Sequence, residues 1–169
     1  DLYGKIHMII DGGSTGIGLE STVLDLTVNT PIILRPGGIT LEDLQEAIPL
    51  VKEDLSIIKD DKDIAPKSPG QKYRHYAPKA EMLVFTGELE NMVVEIKAQA
   101  AKFIFQGKNV GIMATEETKD SYEQGIVISV GSRNNMETIG HNLFDIIRQF
   151  DQKEVDIILA EAVQLSDIG

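Results

Sequence analysis

The spacing of apolar residues predicts short strands joined by turns in the first third of the chain. Apolar runs at residues 6–10, 21–26 and 31–35 are bounded by glycine, serine and proline, as strands often are. A helix should follow, because Thr40 can cap it and Asp43 stands at the capping-box position. The apolar face of that helix consists of Leu41, Leu44, Ala47 and Ile48.

After residue 80 the pattern changes to an alternation of strands and long amphipathic helices. Apolar residues recur at helical spacing from Leu89 to Ile104 and again from Met136 to Phe150. The strands are predicted at residues 82–86, 110–114, 126–130 and 155–160. This order predicts a small α/β domain in which a parallel sheet is flanked by helices.

Residues 59–80 separate these two regions and carry an unusual set of side chains. The segment is rich in lysine, aspartate and proline, and the motif Ser-Pro-Gly-Gln-Lys-Tyr-Arg-His-Tyr-Ala-Pro spans residues 68–78. Its prolines and glycine exclude a helix or a central strand. Cations that alternate with aromatic rings suit a phosphate and a base ring, which predicts contact with a ligand. A tail that packs on a neighbouring domain would also explain them.

Composition and charge narrow the classes of function. The chain has 169 residues, no cysteine and a net charge of −11. Residues 61–80 are its basic stretch, with five basic and two acidic side chains. A broad nucleic-acid-binding face needs many phosphate contacts and is not expected, whereas a single small anionic ligand would fit. Disulfides and thiol chemistry are excluded, and no apolar run reaches the about 18 residues of a membrane helix.

Three polar features of the first region are candidates for ligand contact. The loop at residues 11–18 holds four glycines but lacks the Walker and dinucleotide patterns, so a structural turn and a ligand-lining loop are both open. Ser21 and Thr22 can donate to a carboxylate or a hydroxyl ligand, or they can satisfy the backbone. Arg35 precedes Pro-Gly-Gly and can place its guanidinium on a phosphate, or it can lie on the surface.

The histidines do not indicate a metal site. His7, His75 and His141 are far apart in sequence, and their spacing is not typical of zinc or calcium ligands. No serine–histidine–aspartate arrangement can be argued from the sequence either. We therefore assign no protein-bound metal and no catalytic nucleophile or base.

Three motifs together resemble those of the two-domain L-threonylcarbamoyladenylate synthases. They are Gly-x-Glu-Ser-Thr-Val at residues 18–23, Ile-Leu-Arg-Pro-Gly at residues 33–37 and the linker motif at residues 68–78. In that family a YrdC-like catalytic domain is joined by such a linker to a smaller Rossmann-like domain. The resemblance implies the C-terminal part of a YrdC-like α/β domain at residues 1–58, a linker or lid at residues 59–80 and a Rossmann-like parallel α/β domain at residues 81–169.

The resemblance also implies an activity. Enzymes of this family join L-threonine, bicarbonate and ATP into threonylcarbamoyl-AMP and release pyrophosphate, and downstream transfer proteins then modify adenosine 37 of tRNAs. ATP would be a substrate, and Mg²⁺ would be held through its phosphates. This chemistry needs positioning and charge neutralisation rather than a protein nucleophile. We expect a cytoplasmic protein that contacts neither nucleic acid nor membrane directly.

The family's motifs imply roles for five residues of this sequence. Ser21 would contact threonine, and Thr22 would help to shape the threonine pocket. Arg35 would contact ATP. Tyr73 and His75 would belong to a lid that folds over the catalytic cleft and covers the nucleotide. Arg74 and Tyr76, within the same motif, are the alternatives.

The chain departs from the family pattern at both ends. A Lys- and Arg-bearing segment and a Ser-x-Asn loop, which bind phosphates and nucleotide in the family's catalytic domain, are not found in residues 1–58. We expect the chain to begin within the catalytic domain, to stop before the last strand and helix of the second domain, and to be inactive alone because most of the ATP site is missing. Two alternatives are a non-catalytic nucleotide-sensing or protein-interaction module and a carbamoyl-transfer or maturation enzyme.

Overall fold

The computed structural model describes residues 4–13, 16–54 and 77–163. Within these ranges the chain forms two sheets, one on each side of the predicted linker. The linker itself lies outside the described residues, apart from residues 77–80. No helix in the described ranges is long and apolar enough to cross a membrane.

The first sheet is small and has three strands. β1 (Val23–Asp25) runs antiparallel to β2 (Ile32–Arg35), and β3 (Lys52–Glu53) runs parallel to β2. The pairing places Val23 opposite Arg35, with an irregular register directly after Val23. β1 and β2 confirm two of the predicted strands. β3 is not predicted by the pattern, because two exposed polar residues carry no apolar signal.

Helix α1 (Leu41–Ala47) begins where the sequence predicts. The Thr40 hydroxyl accepts a hydrogen bond from the Asp43 amide at 3.1 Å, and the Asp43 carboxylate accepts one from the Thr40 amide at 3.0 Å. This reciprocal pair satisfies two amides that have no partner within the helix. The helix has no buried residue, and the buried apolar side chains of this region are those of Ile33 and Val51.

The second sheet is the scaffold of the second region. Its strands are all parallel and lie in the order β4, β7, β5, β6. They are β4 (Glu81–Phe85), β5 (Val110–Ala114), β6 (Ile126–Ser129) and β7 (Ile157–Glu161). All four confirm predicted strands, and β5 has the predicted bounds. Parallel neighbours require crossover connections, so the predicted α/β fold of this region is confirmed.

Two long helices cover opposite faces of this sheet. α2 (Leu89–Phe105) packs against one face, and α3 (Met136–Gln152) packs against the other. Alternate residues of β7 join the α2 cluster and the α3 cluster. A strand that is buried on both faces needs apolar residues at almost every position. This is why β5 and β7 are nearly continuous apolar runs in the sequence.

The strand predicted at residues 6–10 is wrong. These residues have no strand conformation, and Met8 and Ile10 are 77% and 88% exposed. A strand forms only where its amide and carbonyl groups find a neighbouring strand. No strand within the described ranges pairs with residues 6–10. Their apolar pattern alone was therefore an insufficient signal.

Candidate functional site

The antiparallel pairing of β1 and β2 brings Arg35 and Ser21 together. Because Val23 pairs with Arg35, the residues just before β1 lie beside the end of β2. The Nε and Nη2 atoms of Arg35 donate to the Ser21 carbonyl oxygen at 3.1 and 2.8 Å, and Nη2 also donates to the Ser21 hydroxyl at 3.2 Å. Two of the predicted site residues are therefore in direct contact.

Glu20 completes what we call the Arg35 cluster, formed by Glu20, Ser21 and Arg35. Nη1 of Arg35 lies 3.0 Å from Oε2 of Glu20, and 38% of the glutamate side chain is exposed. An ion pair this open contributes about 1 kcal/mol or less, because water screens it. A phosphate could replace Glu20 on the guanidinium at little cost. The sequence motifs do not predict a site role for Glu20, although its charge and its place next to Ser21 are a usable signal.

Ser21 is the accessible hydroxyl of the Arg35 cluster. The residue is exposed, and its hydroxyl oxygen accepts a hydrogen bond from Arg35. The hydroxyl keeps its own proton, which it can donate to a ligand oxygen. Next to a guanidinium, such a donor suits a carboxylate or a phosphate.

The Thr22 hydroxyl is hydrogen-bonded to the backbone of Ile39 in this structure. Its hydroxyl donates to the Ile39 carbonyl oxygen at 2.6 Å and accepts a hydrogen bond from the Ile39 amide at 3.2 Å. These two bonds fix the chain segment after the turn at residues 36–38 to the start of β1. The predicted part of Thr22 in a threonine pocket stays a prediction.

The backbone of the turn at residues 36–38 packs directly against the backbone of residues 20–22. A Cβ at Gly37 would overlap the carbonyl oxygen of Glu20 and the amide nitrogen of Thr22, and it would lie 2.5 Å from the carbonyl carbon of Ser21. The Gly38 amide also donates to the Glu20 carbonyl oxygen at 3.2 Å. Glycine is required here because of this close approach. The turn therefore fixes the backbone that carries Ser21.

The predicted lid residues Tyr73 and His75, with the rest of their motif, lie outside the described residues. Their contact with a nucleotide therefore stays a prediction. Within the described ranges, no group of three or more histidine or acidic side chains could hold a metal ion.

A second polar group, the Glu161 cluster, is buried at the carboxyl edge of the second sheet. The Glu161 carboxylate accepts hydrogen bonds from the hydroxyls of Thr115 at 2.9 Å, Thr118 at 2.5 Å and Tyr122 at 2.6 Å. Arg133 adds an ion pair through Nη2 at 2.9 Å, and the Thr115 amide donates at 3.2 Å. Glu161 is only 8% exposed, so its charge is stabilised by protein donors rather than by water.

The pKa shifts of Glu161 and Tyr122 are those expected for an ionised carboxylate that is stabilised by hydrogen bonds. Burial alone would raise the pKa of Glu161, but hydrogen bonds from Thr118, Tyr122, Arg133 and Thr115 outweigh it and lower the pKa. Burial and the bond to Glu161 raise the pKa of Tyr122. The partners come from positions 28 to 46 residues before Glu161, so no local pattern in the sequence predicts this cluster.

The comparisons with known proteins identify the family. Residues 39–169 match the family described as threonylcarbamoyl-AMP synthase, C-terminal domain. The whole chain is similar to a threonylcarbamoyl-AMP synthase of Pyrococcus abyssi, with 43% identity over 169 residues, which cover 48% of that protein. The chain spans about half the length of the curated relatives it matches, between 44% and 48%.

Two solved structures have the same fold. One is the crystal structure of P. abyssi Sua5 complexed with L-threonine, which matches 97% of this chain and 46% of its own with a TM-score of 0.86 and 43% identity. The other is a variant of P. abyssi Sua5 in which a histidine and the tyrosine that follows it are both alanine. It matches 100% of this chain and 47% of its own, with a TM-score of 0.88 and 41% identity.

Proposed function

The chain belongs to the family of the threonylcarbamoyl-AMP synthase C-terminal domain, and we propose that the protein carrying it makes threonylcarbamoyl-AMP from L-threonine, bicarbonate and ATP, with release of pyrophosphate. The product would serve tRNA threonylcarbamoyl-transfer proteins downstream, in the cytoplasm. The observation that carries this proposal is the Arg35 cluster, in which a guanidinium and an accessible hydroxyl are held together by direct hydrogen bonds.

The proposed reaction requires charge control rather than a protein nucleophile. The threonine amine takes up bicarbonate to give a carbamate and water. A carbamate oxygen then attacks the α-phosphate of ATP, and pyrophosphate leaves. The carbamate, ATP, threonylcarbamoyl-AMP and pyrophosphate are all anionic, so fixed positive charge and hydrogen-bond donors lower the barrier. Mg²⁺ held by the nucleotide phosphates would supply further positive charge.

Within the Arg35 cluster, Ser21 and Arg35 would divide these tasks. Ser21 would donate its hydroxyl proton to threonine, and the neighbour with the same fold was crystallised with L-threonine. Arg35 would keep Nε and Nη2 on Ser21 and turn Nη1 from Glu20 to a phosphate of ATP. Thr22 would support the threonine pocket by holding the Ile39 backbone.

We propose the linker as the lid of this site. Residues 59–80 would lie between a YrdC-like part at residues 1–58 and a Rossmann-like part at residues 81–169. Tyr73 and His75 would cover the nucleotide. His75 of this chain is followed by a tyrosine, as is the histidine replaced in the P. abyssi variant, and this likeness supports the proposal.

The activity can be tested in the full-length protein by pyrophosphate release. Release should require L-threonine, bicarbonate and ATP together, and mass spectrometry should find threonylcarbamoyl-AMP. The 169-residue chain alone should be inactive. Release that is independent of threonine would contradict the proposed function.

Deleting residues 68–78 tests the lid. Product formation should fall to background, because the nucleotide would lose its cover, while thermal unfolding should still show both folded regions. Replacing the same residues with a glycine–serine segment of equal length controls for the connection between the regions, and it should be equally inactive. Activity that survives either change would contradict the lid.

A further inference from the structure

We propose that helix α3 of the second region positions the segment Glu20–Thr22 and thereby the threonine side of the site. This inference rests on the proposed function and gives the second region a part in it. Two contacts join α3 to the loop at residues 16–18, and further packing connects this loop to the Arg35 cluster.

The first contact is a backbone-to-backbone approach at Gly18. A Cβ added at Gly18 would overlap the carbonyl oxygen of His141 and lie 2.7 Å from the carbonyl oxygen of Gly140. Both oxygens belong to the second turn of α3, where the helix backbone cannot move aside without breaking its own hydrogen bonds. A side chain at position 18 would therefore push the loop away from the helix.

The second contact is a hydrogen bond from the His141 ring. Its Nδ1 lies 3.3 Å from the carbonyl oxygen of Gly16 and, as the donor, fixes the loop two residues before Gly18. The side chain and the backbone of one residue in α3 thus hold both ends of the same short loop.

The loop is also packed against the turn that supports Ser21. A Cβ at Gly38 would lie 2.5 Å from Cγ2 of Ile17, so the Ile17 side chain fills the space beside the turn. The Gly38 amide in turn donates to the Glu20 carbonyl oxygen at 3.2 Å. A shift of α3 would reach Ser21 along this path. Misplacement by about 1 Å can lower a reaction rate about 100-fold.

Loss of the contacts with α3 should affect the binding of threonine more than the binding of ATP. Ser21 follows Gly18 by three residues, and its hydroxyl is the group proposed to bind threonine. Releasing the loop from α3 should loosen that hydroxyl. It should not remove the charge of Arg35 or the linker contacts proposed for the nucleotide. The second region would therefore act as a support for amino-acid binding.

The test compares Gly18→Ala with Gly12→Ala in the full-length protein. A Cβ at Gly12 meets nothing within 4 Å, so Gly12→Ala controls for the loss of a glycine elsewhere in the glycine-rich stretch at residues 11–18. Gly18→Ala should weaken L-threonine binding by calorimetry about tenfold, with the KM for ATP within about twofold of wild type. Amide hydrogen exchange at residues 19–22 should become faster. Gly12→Ala should behave as wild type.

Two His141 variants keep the test decisive if Gly18→Ala folds poorly. His141→Ala removes the bond to the Gly16 carbonyl and should weaken threonine binding about fivefold. His141→Asn should restore most of the affinity, because its amide nitrogen can take the place of Nδ1. A role of His141 in helix stability alone would not give this rescue.

Equal exchange and equal threonine affinity in Gly18→Ala and Gly12→Ala would overturn the inference. Faster exchange at residues 19–22 with unchanged threonine affinity would also overturn it, since the contact would then exist without positioning the site. A wild-type protein without threonine-dependent activity would instead contradict the proposed function. The exchange data would still decide whether α3 holds the loop.

Discussion

The Arg35 cluster and the Glu161 cluster pair an arginine with a carboxylate in opposite environments. In the first, the Glu20 side chain is 38% exposed, and the arginine gives most of its donors to Ser21. In the second, the Glu161 side chain is 0% exposed and its carboxylate accepts hydrogen bonds from four residues. An open pair can exchange its partner for a ligand, whereas a buried pair that is fully hydrogen-bonded mainly holds the fold.

The same comparison weakens the interaction-module alternative. Ligands of parallel α/β sheets usually bind beyond the carboxyl ends of the strands. At that edge of the second sheet, the polar side chains of the Glu161 cluster are paired with one another. Of the two clusters, the Arg35 cluster is the one that offers an exposed hydroxyl, that of Ser21.

The largest expected effect is on stability, at Glu161. Glu161→Ala should lower the free energy of unfolding by about 3–5 kcal/mol, because Arg133 would lose its buried partner. Denaturant unfolding measures the change. Glu116→Ala is the matched control, since its pair with Lys119 is exposed, and its loss should be far smaller. Equal losses in the two variants would remove the distinction between buried and open pairs.

Arg35→Ala should affect activity rather than stability. The value of kcat/KM for ATP in pyrophosphate release should fall about 100-fold, because a preorganised cation would be lost. The unfolding midpoint should change little. Arg35→Lys keeps the charge but cannot place two donors on Ser21, so it should recover only part of the rate. Unchanged ATP kinetics in Arg35→Ala would contradict the predicted role.

Tyr122→Phe should have a smaller effect within the Glu161 cluster. It removes one hydrogen bond to the carboxylate and leaves the ring in place, at a cost of about 1 kcal/mol. Combined with Glu161→Gln, the two losses should be less than additive, because the residues share one network. Additive losses in a double-mutant cycle would show that the hydroxyl acts independently of Glu161.

The smallest expected effect is a pH dependence at Glu117, because this residue is exposed and water screens its interactions. Desolvation opposes ionisation, but the Ser132 hydroxyl and the Arg133 amide lower the pKa of Glu117 to about 2, from 4.5. A lowered pKa contributes stability above pH 4.5, and this contribution is lost as the pH falls toward 2. Glu117→Gln should therefore flatten the loss of stability in that range. An unchanged acid slope would contradict the assignment.

The sequence predicts the second sheet well and the sites only in part. β5 and β7 are recognisable because burial on both faces requires continuous apolar runs. The capping box of α1 is a local signal within four residues. The contacts of Arg35 with Ser21 depend on strand register, and those of Glu161 depend on the order of strands in the sheet. Neither property is visible in a short stretch of sequence.

The bond between His141 and Gly16 also constrains when the site can form. The two residues are 125 positions apart in the sequence. The loop at residues 16–18 can therefore reach its final position only after α3 has been synthesised. At about 5–20 residues per second, this delay on the ribosome is of the order of 10 s. The β1–β2 pair can form early, but the segment Glu20–Thr22, proposed to bind threonine, would reach its final position late. Premature arrest of translation would thus leave a strand pair in which the segment Glu20–Thr22 lacks its support from α3.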